Sequence, residues 1–257
     1  MNQIKVGLLG IAGAGKDTIA SYLTTKLKDL SIPSTDYRFA TSLKIAAESI
    51  FGSDFDQREV KEQPKEVLIK SYQLAQAFGI GGTLLSTSLY AELINKDIRV
   101  TRTEAGMYVI ISPTEFQQIM GTEVLRKIDN DYHVNRLSAE TAKLLYPVIL
   151  IPDVRFSNEL HVCDLLIYIH TNKKSLRKDH ISEKLANNLQ ELANEYGAVS
   201  QYLKEILWYE GMISTIDNKQ DEDGKYLQSQ NSFCINLLAG TIQNLLMAKN
   251  KAYWKNL

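Results

Sequence analysis

Apolar positions along the chain follow two alternating patterns. Continuous apolar runs at 4–11, 147–153 and 164–170 are typical of buried parallel strands. The stretches 16–30 and 235–246 instead carry apolar residues three or four positions apart, which predicts amphipathic helices. Strands that alternate with helices predict a parallel sheet in a three-layer α/β/α fold, with ligands at the carboxyl ends of the strands.

Shorter elements lie between these runs. The pattern predicts a strand at 37–40, a helix at 42–51 and a further core strand at 107–111. Ser112 and Glu115 enclose Pro113 in a capping-box pattern, which predicts that a helix begins there.

Residues 53–106 mix charged, apolar and glycine-rich stretches. We interpret them as an insertion between the second and third core strands of one domain spanning 1–257.

Composition and charge narrow the class of protein. The 257 residues are 44% hydrophobic, which is enough for a packed α/β domain. Lysine and arginine total 29 against 30 acidic residues, a balance that argues against a nucleic-acid partner. The two cysteines lack metal-ligand spacing, and no leader or membrane-spanning run is visible. We expect a cytoplasmic protein (host cytoplasm if phage-encoded) without a membrane partner, and a homodimer is left open.

The strongest chemical motif comes directly after the first strand. Residues 10–18 read GIAGAGKDT, which matches the GxxxxGK pattern of a phosphate-binding loop that opens a helix. Glycines let backbone N–H groups face phosphate oxygens, and Lys16 is expected to reach the β- and γ-phosphates. The residues predicted to bind the cofactor ATP are Gly10, Ala12, Gly13, Ala14, Gly15, Lys16, Asp17 and Thr18.

The loop departs from its usual pattern at one position. Asp17 follows the lysine, where a serine or threonine hydroxyl ordinarily binds Mg²⁺. A carboxylate at this position can bind Mg²⁺ directly or through water, and Thr18 is the alternative ligand. We therefore predict Mg²⁺ as a cofactor and Asp17 as its candidate protein ligand.

Two motifs of regulatory GTPases are incomplete. Residues 172–175 read NKKS, so the aspartate of the guanine-reading NKxD motif is missing. Residues 153–156 read DVRF and lack the glycine of DxxG. The chain is therefore not interpreted as a GTPase.

Three later segments accompany the loop in a fixed order: SPTEFQQIMGTEVLR at 112–126, PDVRFSNE at 152–159 and DHISE at 179–183. With the GxxxxGKD loop, this set resembles the bacteriophage deoxynucleoside monophosphate kinases. The resemblance implies a nucleotide-kinase-type P-loop fold with an inserted NMP-binding and lid region. It also implies ATP-dependent phosphorylation of a deoxynucleoside monophosphate, a small-molecule nucleotide, to its diphosphate. Thr114 and His133 depart from the family, which often has arginine and tryptophan at these positions.

The acceptor site is predicted largely from this resemblance, at Lys44, Gly121, Thr122, Arg126, His133, Asp153, Arg155 and Glu159. The residues give partly independent grounds. Arg155 and Asp153 follow an apolar strand, where a guanidinium can bind phosphate oxygens and a carboxylate can orient Mg²⁺-bound water. They can equally cap a helix and pair with Glu159. Close helix packing is an alternative for Gly121, and packing or solvent exposure for Lys44.

A basic stretch follows the run at 164–170 and comprises Lys173, Lys174, Arg177, Lys178 and His180. We interpret it as part of a candidate lid at 172–200, whose cations close over phosphates, with Arg177 as the catalytic candidate. Lys16, Asp153, Arg155 and Arg177 are thus the predicted catalytic residues. A solvated loop is the alternative reading of the basic stretch. For the whole chain, the alternatives are a P-loop kinase for another phosphorylated metabolite, of phosphomevalonate type, and a non-catalytic nucleotide-binding module.

Overall fold

The computed structural model describes residues 3–57, 59–172, 183–196, 199–205, 207, 209–218 and 228–255. The chain divides into two compact units, and each has its own hydrophobic core. The first unit is made of Met1–Phe39 and Val134–Leu257, and the second is Ala40–His133.

The first unit is built on a five-stranded parallel sheet in the order β2-β6-β1-β7-β8. Numbered along the chain, these strands are β1 (Ile4–Leu9), β2 (Ser34–Asp36), β6 (Val148–Ile151), β7 (Leu165–His170) and β8 (Met212–Asp217). All residues of β6 and all but the last of β7 are buried, as expected for strands covered on both faces.

Helices cover this sheet and complete the three-layer α/β/α fold. They are α1 (Lys16–Asp29), α7 (Tyr132–Thr141), α8 (Ser157–Leu160), α9 (Lys184–Tyr196), α10 (Val199–Glu205) and α11 (Gln228–Lys255), of which α7 begins in the second unit. Each contributes an apolar side chain to the core, such as Leu23 of α1, Leu189 of α9 and Ile242 of α11. The predicted fold class is confirmed.

Two details of the sheet differ from the sequence prediction. The second core strand is Ser34–Asp36, three residues before the predicted 37–40. The edge strand β8 was not predicted, because its sequence MISTID mixes polar and apolar residues and most of its side chains are not buried. An edge strand has only one strand neighbour, which leaves a weak hydrophobic signal.

The second unit contains a three-stranded antiparallel sheet in the order β3-β5-β4. Its strands are β3 (Lys65–Ile69), β4 (Val100–Thr103) and β5 (Gly106–Ile111). The prediction that 107–111 continues the parallel core is therefore wrong. Burial alternates along β5, with Met107, Val109 and Ile111 inside and Tyr108 and Ile110 exposed. Because the exposed residues are apolar too, the sequence does not show the alternation of polar and apolar residues that is typical of a sheet with one buried face.

The helices of this unit are α2 (Thr41–Phe51), α3 (Ser71–Phe78), α4 (Gly82–Asn95), α5 (Pro113–Gln118) and α6 (Arg126–Ile128), with a π-helical segment (Ile119–Leu125) between the last two. The backbone N–H of Glu115 donates to the Ser112 hydroxyl at 3.1 Å, as the capping pattern predicted. The unit extends beyond the predicted insertion at 53–106, because α2 and the helical stretch from 113 bury their apolar faces in the second core. That the chain forms one domain stays a prediction.

No single helix in the described part of the chain is both long and apolar enough to cross a membrane. The helices α3 and α4, bent by 108° at their junction, reach the required length and composition only as a pair. Their apolar residues Leu74, Phe78, Leu85, Leu89 and Leu93 are buried in the second core.

Candidate phosphate-binding site

The glycine loop at 10–18 connects β1 to α1, as the motif predicts. Gly13 and Gly15 have φ angles of 82° and 89°, in the left-handed region that favours glycine. Gly10 is required for another reason, since a Cβ atom there would lie 2.7 Å from the carbonyl oxygen of Ile169 in β7. Backbone conformation therefore accounts for Gly13 and Gly15, and close approach of β7 accounts for Gly10.

The loop is held in place from β8. The side-chain amide of Asn218 donates to the carbonyl oxygen of Ala14 at 2.7 Å, and both residues are buried. The backbone N–H of Asn218 in turn donates to the carbonyl oxygen of His170 at 2.8 Å. The ends of β7 and β8 thus fix the middle of the loop.

Lys16 lies over the loop. Its ammonium donates to the carbonyl oxygens of Gly10 at 2.6 Å and Ile11 at 2.9 Å. Burial of the ammonium lowers the pKa of Lys16 to about 8, and the positive charge of Arg155 acts in the same direction. The carboxylates of Glu183, Asp17 and Asp153 act in the opposite direction. These side chains are therefore close enough to the ammonium to interact with it electrostatically.

Asp153, Arg155 and Glu159 follow β6, and their side chains contact different partners. The Asp153 carboxylate is buried and accepts a hydrogen bond from the backbone N–H of Phe39 at 3.0 Å. The Arg155 guanidinium pairs with Glu183 at 2.7 Å. Glu159 accepts from the backbone N–H groups of Arg155 at 2.8 Å and Phe156 at 3.1 Å. Glu159 thus caps the start of α8 through the main chain, while the Arg155 side chain is paired with Glu183.

Glu183 connects this edge of the sheet to the loop. One of its carboxylate oxygens accepts from the backbone N–H of Ala12 at 3.0 Å, and the other accepts from Arg155. Its side chain is only 3% exposed, although it is an acid. A negative group is thus stabilised by a loop N–H and a guanidinium, which is the donor set that a phosphate requires. The residues present therefore fit the phosphate groups of ATP.

Asp17, the candidate Mg²⁺ ligand, lies at the start of α1 and its side chain is 72% exposed. It forms an ion pair with Arg38 at 2.5 Å. Arg38 follows β2 by two residues, at the carboxyl end of a parallel strand, a position that could have indicated it from the sequence.

Gly121 and His133, two of the predicted acceptor residues, lie together in the second unit. His133 is buried, and its Nε2 atom lies 3.3 Å from the carbonyl oxygen of Gly121. A Cβ atom at Gly121 would lie 2.9 Å from a methyl group of Leu43, so close packing accounts for this glycine. Thr122 lies beside it in the π-helical segment.

Lys44 and Arg126, two further predicted acceptor residues, contact other residues of the second unit. Lys44 pairs with Asp56 at 2.5 Å, and Arg126 donates to the carbonyl oxygen of Asn130 at 3.3 Å. A role for any of these second-unit residues in acceptor binding stays a prediction.

Arg177, the predicted lid residue, lies outside the described residues, as does the whole basic stretch from Lys173 to His180. Within the candidate lid, the structure describes Asn172, Glu183, α9 and the first two residues of α10. Glu183 comes immediately before α9 and is the last residue of the DHISE segment at 179–183. Its contacts with Ala12 and Arg155 join residues 171 and 28 positions apart, and no local pattern could have indicated them.

Comparison with known proteins shows only distant likenesses. No protein-family model matches the sequence, and no curated protein matches it. Among solved structures, the chain is similar to cobyrinic acid a,c-diamide synthase from Mycobacterium smegmatis with a bound ATP analog and magnesium, at 10% identity and a TM-score of 0.38, covering 93% of both chains. It is also similar to pnob8 ParA, at 12% identity and a TM-score of 0.42, covering 95% of this chain and 71% of that one. A putative plasmid partition protein from Borrelia burgdorferi, bound to AMPPNP, matches at 17% identity and a TM-score of 0.33, over 96% of this chain and 100% of the other.

These likenesses correct one prediction. The structures named are a synthase, a ParA protein and a plasmid partition protein, not nucleoside monophosphate kinases, so the predicted membership in the bacteriophage deoxynucleoside monophosphate kinases is wrong. The deoxynucleoside monophosphate kinase activity rested on that resemblance and falls with it. The short motifs were less specific than they looked, because a phosphate loop followed by polar residues at strand ends recurs among P-loop proteins of many activities.

Proposed function

We propose that the chain binds ATP with Mg²⁺ at the loop of residues 10–18 and that it is an enzyme that uses the terminal phosphoryl group. The observation that carries the proposal is the convergence of the glycine loop, Lys16 and Arg155 at the carboxyl edge of a parallel sheet. ATP is preferred over GTP because the sequence lacks the guanine-reading aspartate, Ser175 standing in its place.

Each group of residues in the site has a different role in binding ATP and Mg²⁺. The loop N–H groups between Gly13 and Thr18 bind phosphate oxygens. When ATP binds, the Lys16 ammonium exchanges its hydrogen bonds to the loop carbonyl oxygens for contacts with the β- and γ-phosphates. Asp17, or Thr18 next to it, holds Mg²⁺, which neutralises phosphate charge when it is bound.

Asp153 and Arg155 complete the site after β6. Asp153, fixed by the backbone N–H of Phe39, would orient water beside a bound Mg²⁺ ion, and Arg155 would stabilise charge on the transferring group. Transfer of a phosphoryl group needs charge neutralisation and alignment more than covalent help, and this set of side chains supplies both.

Lys16→Ala tests the proposal, measured by calorimetric titration with ATP and Mg²⁺ and by release of ADP. Because hydrogen bonds to charged groups contribute about 1.5–3 kcal/mol, we expect the affinity for ATP to fall by about tenfold to a hundredfold and turnover to be lost.

Lys26→Ala is the matched control. It removes the same charge from the last turn of α1, where Lys26 pairs with Asp29 in solvent. We expect this variant to bind ATP as the unmodified chain does. Failure of the unmodified chain to bind ATP refutes the proposal, whereas binding without turnover leaves a nucleotide-binding module in place of an enzyme.

A further inference from the structure

Glu183 is a buried acid held by groups that normally bind phosphate. Its two oxygens accept from the Ala12 N–H at 3.0 Å and from the Arg155 guanidinium at 2.7 Å. Burying a carboxylate is costly unless donors compensate it, and these two contacts supply the compensation. A phosphate oxygen could therefore take the place of the carboxylate in these two hydrogen bonds.

The neighbours of the Glu183 carboxylate also indicate which phosphate of a bound nucleotide it would compete with. It acts electrostatically on Lys16, the residue that reaches the β- and γ-phosphates in loops of this kind. Arg155, its second partner, follows β6 and is separate from the loop itself. The α- and β-phosphates of a nucleotide are bound mainly by the later loop N–H groups, from Gly13 to Thr18, and by the start of the helix, whereas Ala12 comes earlier in the loop. Glu183 thus competes with the γ-phosphate more than with the inner phosphates.

Helix α9 keeps Glu183 in this position. The helix begins at Lys184, directly after Glu183, and its residues Ala186 and Leu189 are buried in the core of the first unit. Because the following helix is anchored, the carboxylate is presented to the loop at high effective concentration, and a γ-phosphate has to displace it.

We infer that Glu183 is a specificity-determining residue that weakens the binding of nucleoside triphosphates relative to diphosphates, by holding the Ala12 N–H and Arg155 that a γ-phosphate requires. The inference rests on the proposed function of the loop as an ATP site. A diphosphate binds without displacing Glu183, whereas a triphosphate has to displace it and meets its negative charge.

Glu183→Gln tests the inference because it removes the charge and keeps the size of the side chain. We expect the affinity for a non-hydrolysable ATP analogue with Mg²⁺ to rise by about tenfold and the affinity for ADP with Mg²⁺ to change by less than about twofold. Calorimetric titration measures both, and thermal melting shows whether the variant is folded.

Glu140→Gln is the matched control. Glu140 precedes Thr141, whose carbonyl oxygen accepts a hydrogen bond from Gln3 just before β1 begins. The six residues of β1 separate that end from the loop by about 20 Å, at about 3.3 Å a residue. The control therefore changes the net charge equally but away from the site, and we expect both affinities to stay within about twofold.

The outcomes separate the inference from the proposed function. If Glu183→Gln raises the affinity for the triphosphate but not for the diphosphate, the inference is supported. The inference is overturned if the affinity changes equally for both nucleotides, or if the affinity for the triphosphate falls. It is also overturned if Glu140→Gln raises the affinity for the triphosphate as much as Glu183→Gln does. Each of these results leaves the nucleotide site intact. If the unmodified chain binds neither nucleotide, the proposed function and the inference are both refuted.

Discussion

We expect Lys16 to make nucleotide binding dependent on pH. Burial lowers the pKa of its ammonium to about 8 in the free protein. Phosphate oxygens favour the charged form, so a bound nucleotide raises this pKa again. Affinity is therefore full below the pKa of the free protein and falls as the pH rises through it.

The size of the effect follows from the fraction of charged lysine. With a pKa of about 8, the ammonium is about 90% charged at pH 7 and about 10% charged at pH 9. If only the charged form binds well, the affinity for ATP is lower at pH 9 than at pH 7 by about tenfold. An ordinary surface lysine, with a pKa of about 10.4, would change the affinity by less than about 10% over the same interval.

Calorimetric titrations of a non-hydrolysable ATP analogue with Mg²⁺ at half-unit steps between pH 7 and 9.5 measure this profile. Lys16→Arg is the informative variant, since a guanidinium stays charged throughout the range. We expect weaker but pH-independent binding in Lys16→Arg over the interval in which the unmodified chain loses affinity. A flat profile in the unmodified chain, or the same decline in Lys16→Arg, would refute the assignment of the pH dependence to Lys16.

Three further substitutions test the framework of the site, with thermal melting as the common measurement and a shift of about 2–4 °C expected per kcal/mol for a chain of this size. Asn218→Ala leaves the buried carbonyl of Ala14 without its 2.7 Å donor and should cost about 1–3 kcal/mol, whereas Gln201→Ala, which removes an exposed amide on α10, should cost almost nothing. Gly10→Ala places a Cβ atom 2.7 Å from a backbone oxygen of β7 and should destabilise by about 1–3 kcal/mol; an unchanged melting temperature would contradict the steric argument. Glu159→Ala leaves two backbone N–H groups at the start of α8 without their acceptor and should lower stability by at least about 1 kcal/mol, with Glu159→Gln in between.

Local signals predicted the part of the fold that carries the loop. An apolar run, a glycine-rich turn and a helical repeat adjoin along the sequence at 4–30, and the structure places β1, the loop and α1 there. The helix start at Ser112 was predictable for the same reason, because a cap is a contact between residues three positions apart.

Features that depend on distant pairing were not predictable. The apolar sequence of β5 suits a buried parallel strand as well as an antiparallel one, and its partners at 65–69 and 100–103 decide the matter. Glu183 was visible in the sequence only as the last residue of the DHISE segment. Its contacts with Ala12 and Arg155 arise from the order of the strands in the sheet, which brings the loop after β1 next to the end of β6.

The division of the chain has a consequence for the order in which it folds during synthesis. The second unit is one continuous segment, Ala40–His133, and all three strands of its sheet are available once that segment has emerged. The strand β1 is made before the second unit, yet its neighbours β6 and β7 follow that unit and begin at Val148 and Leu165. Contacts between residues so far apart form slowly, and units of a growing chain fold as they are completed. We therefore expect the inserted unit to fold first, so that the phosphate loop, although it is synthesised before that unit, acquires its geometry only after β6, β7 and β8 have been made.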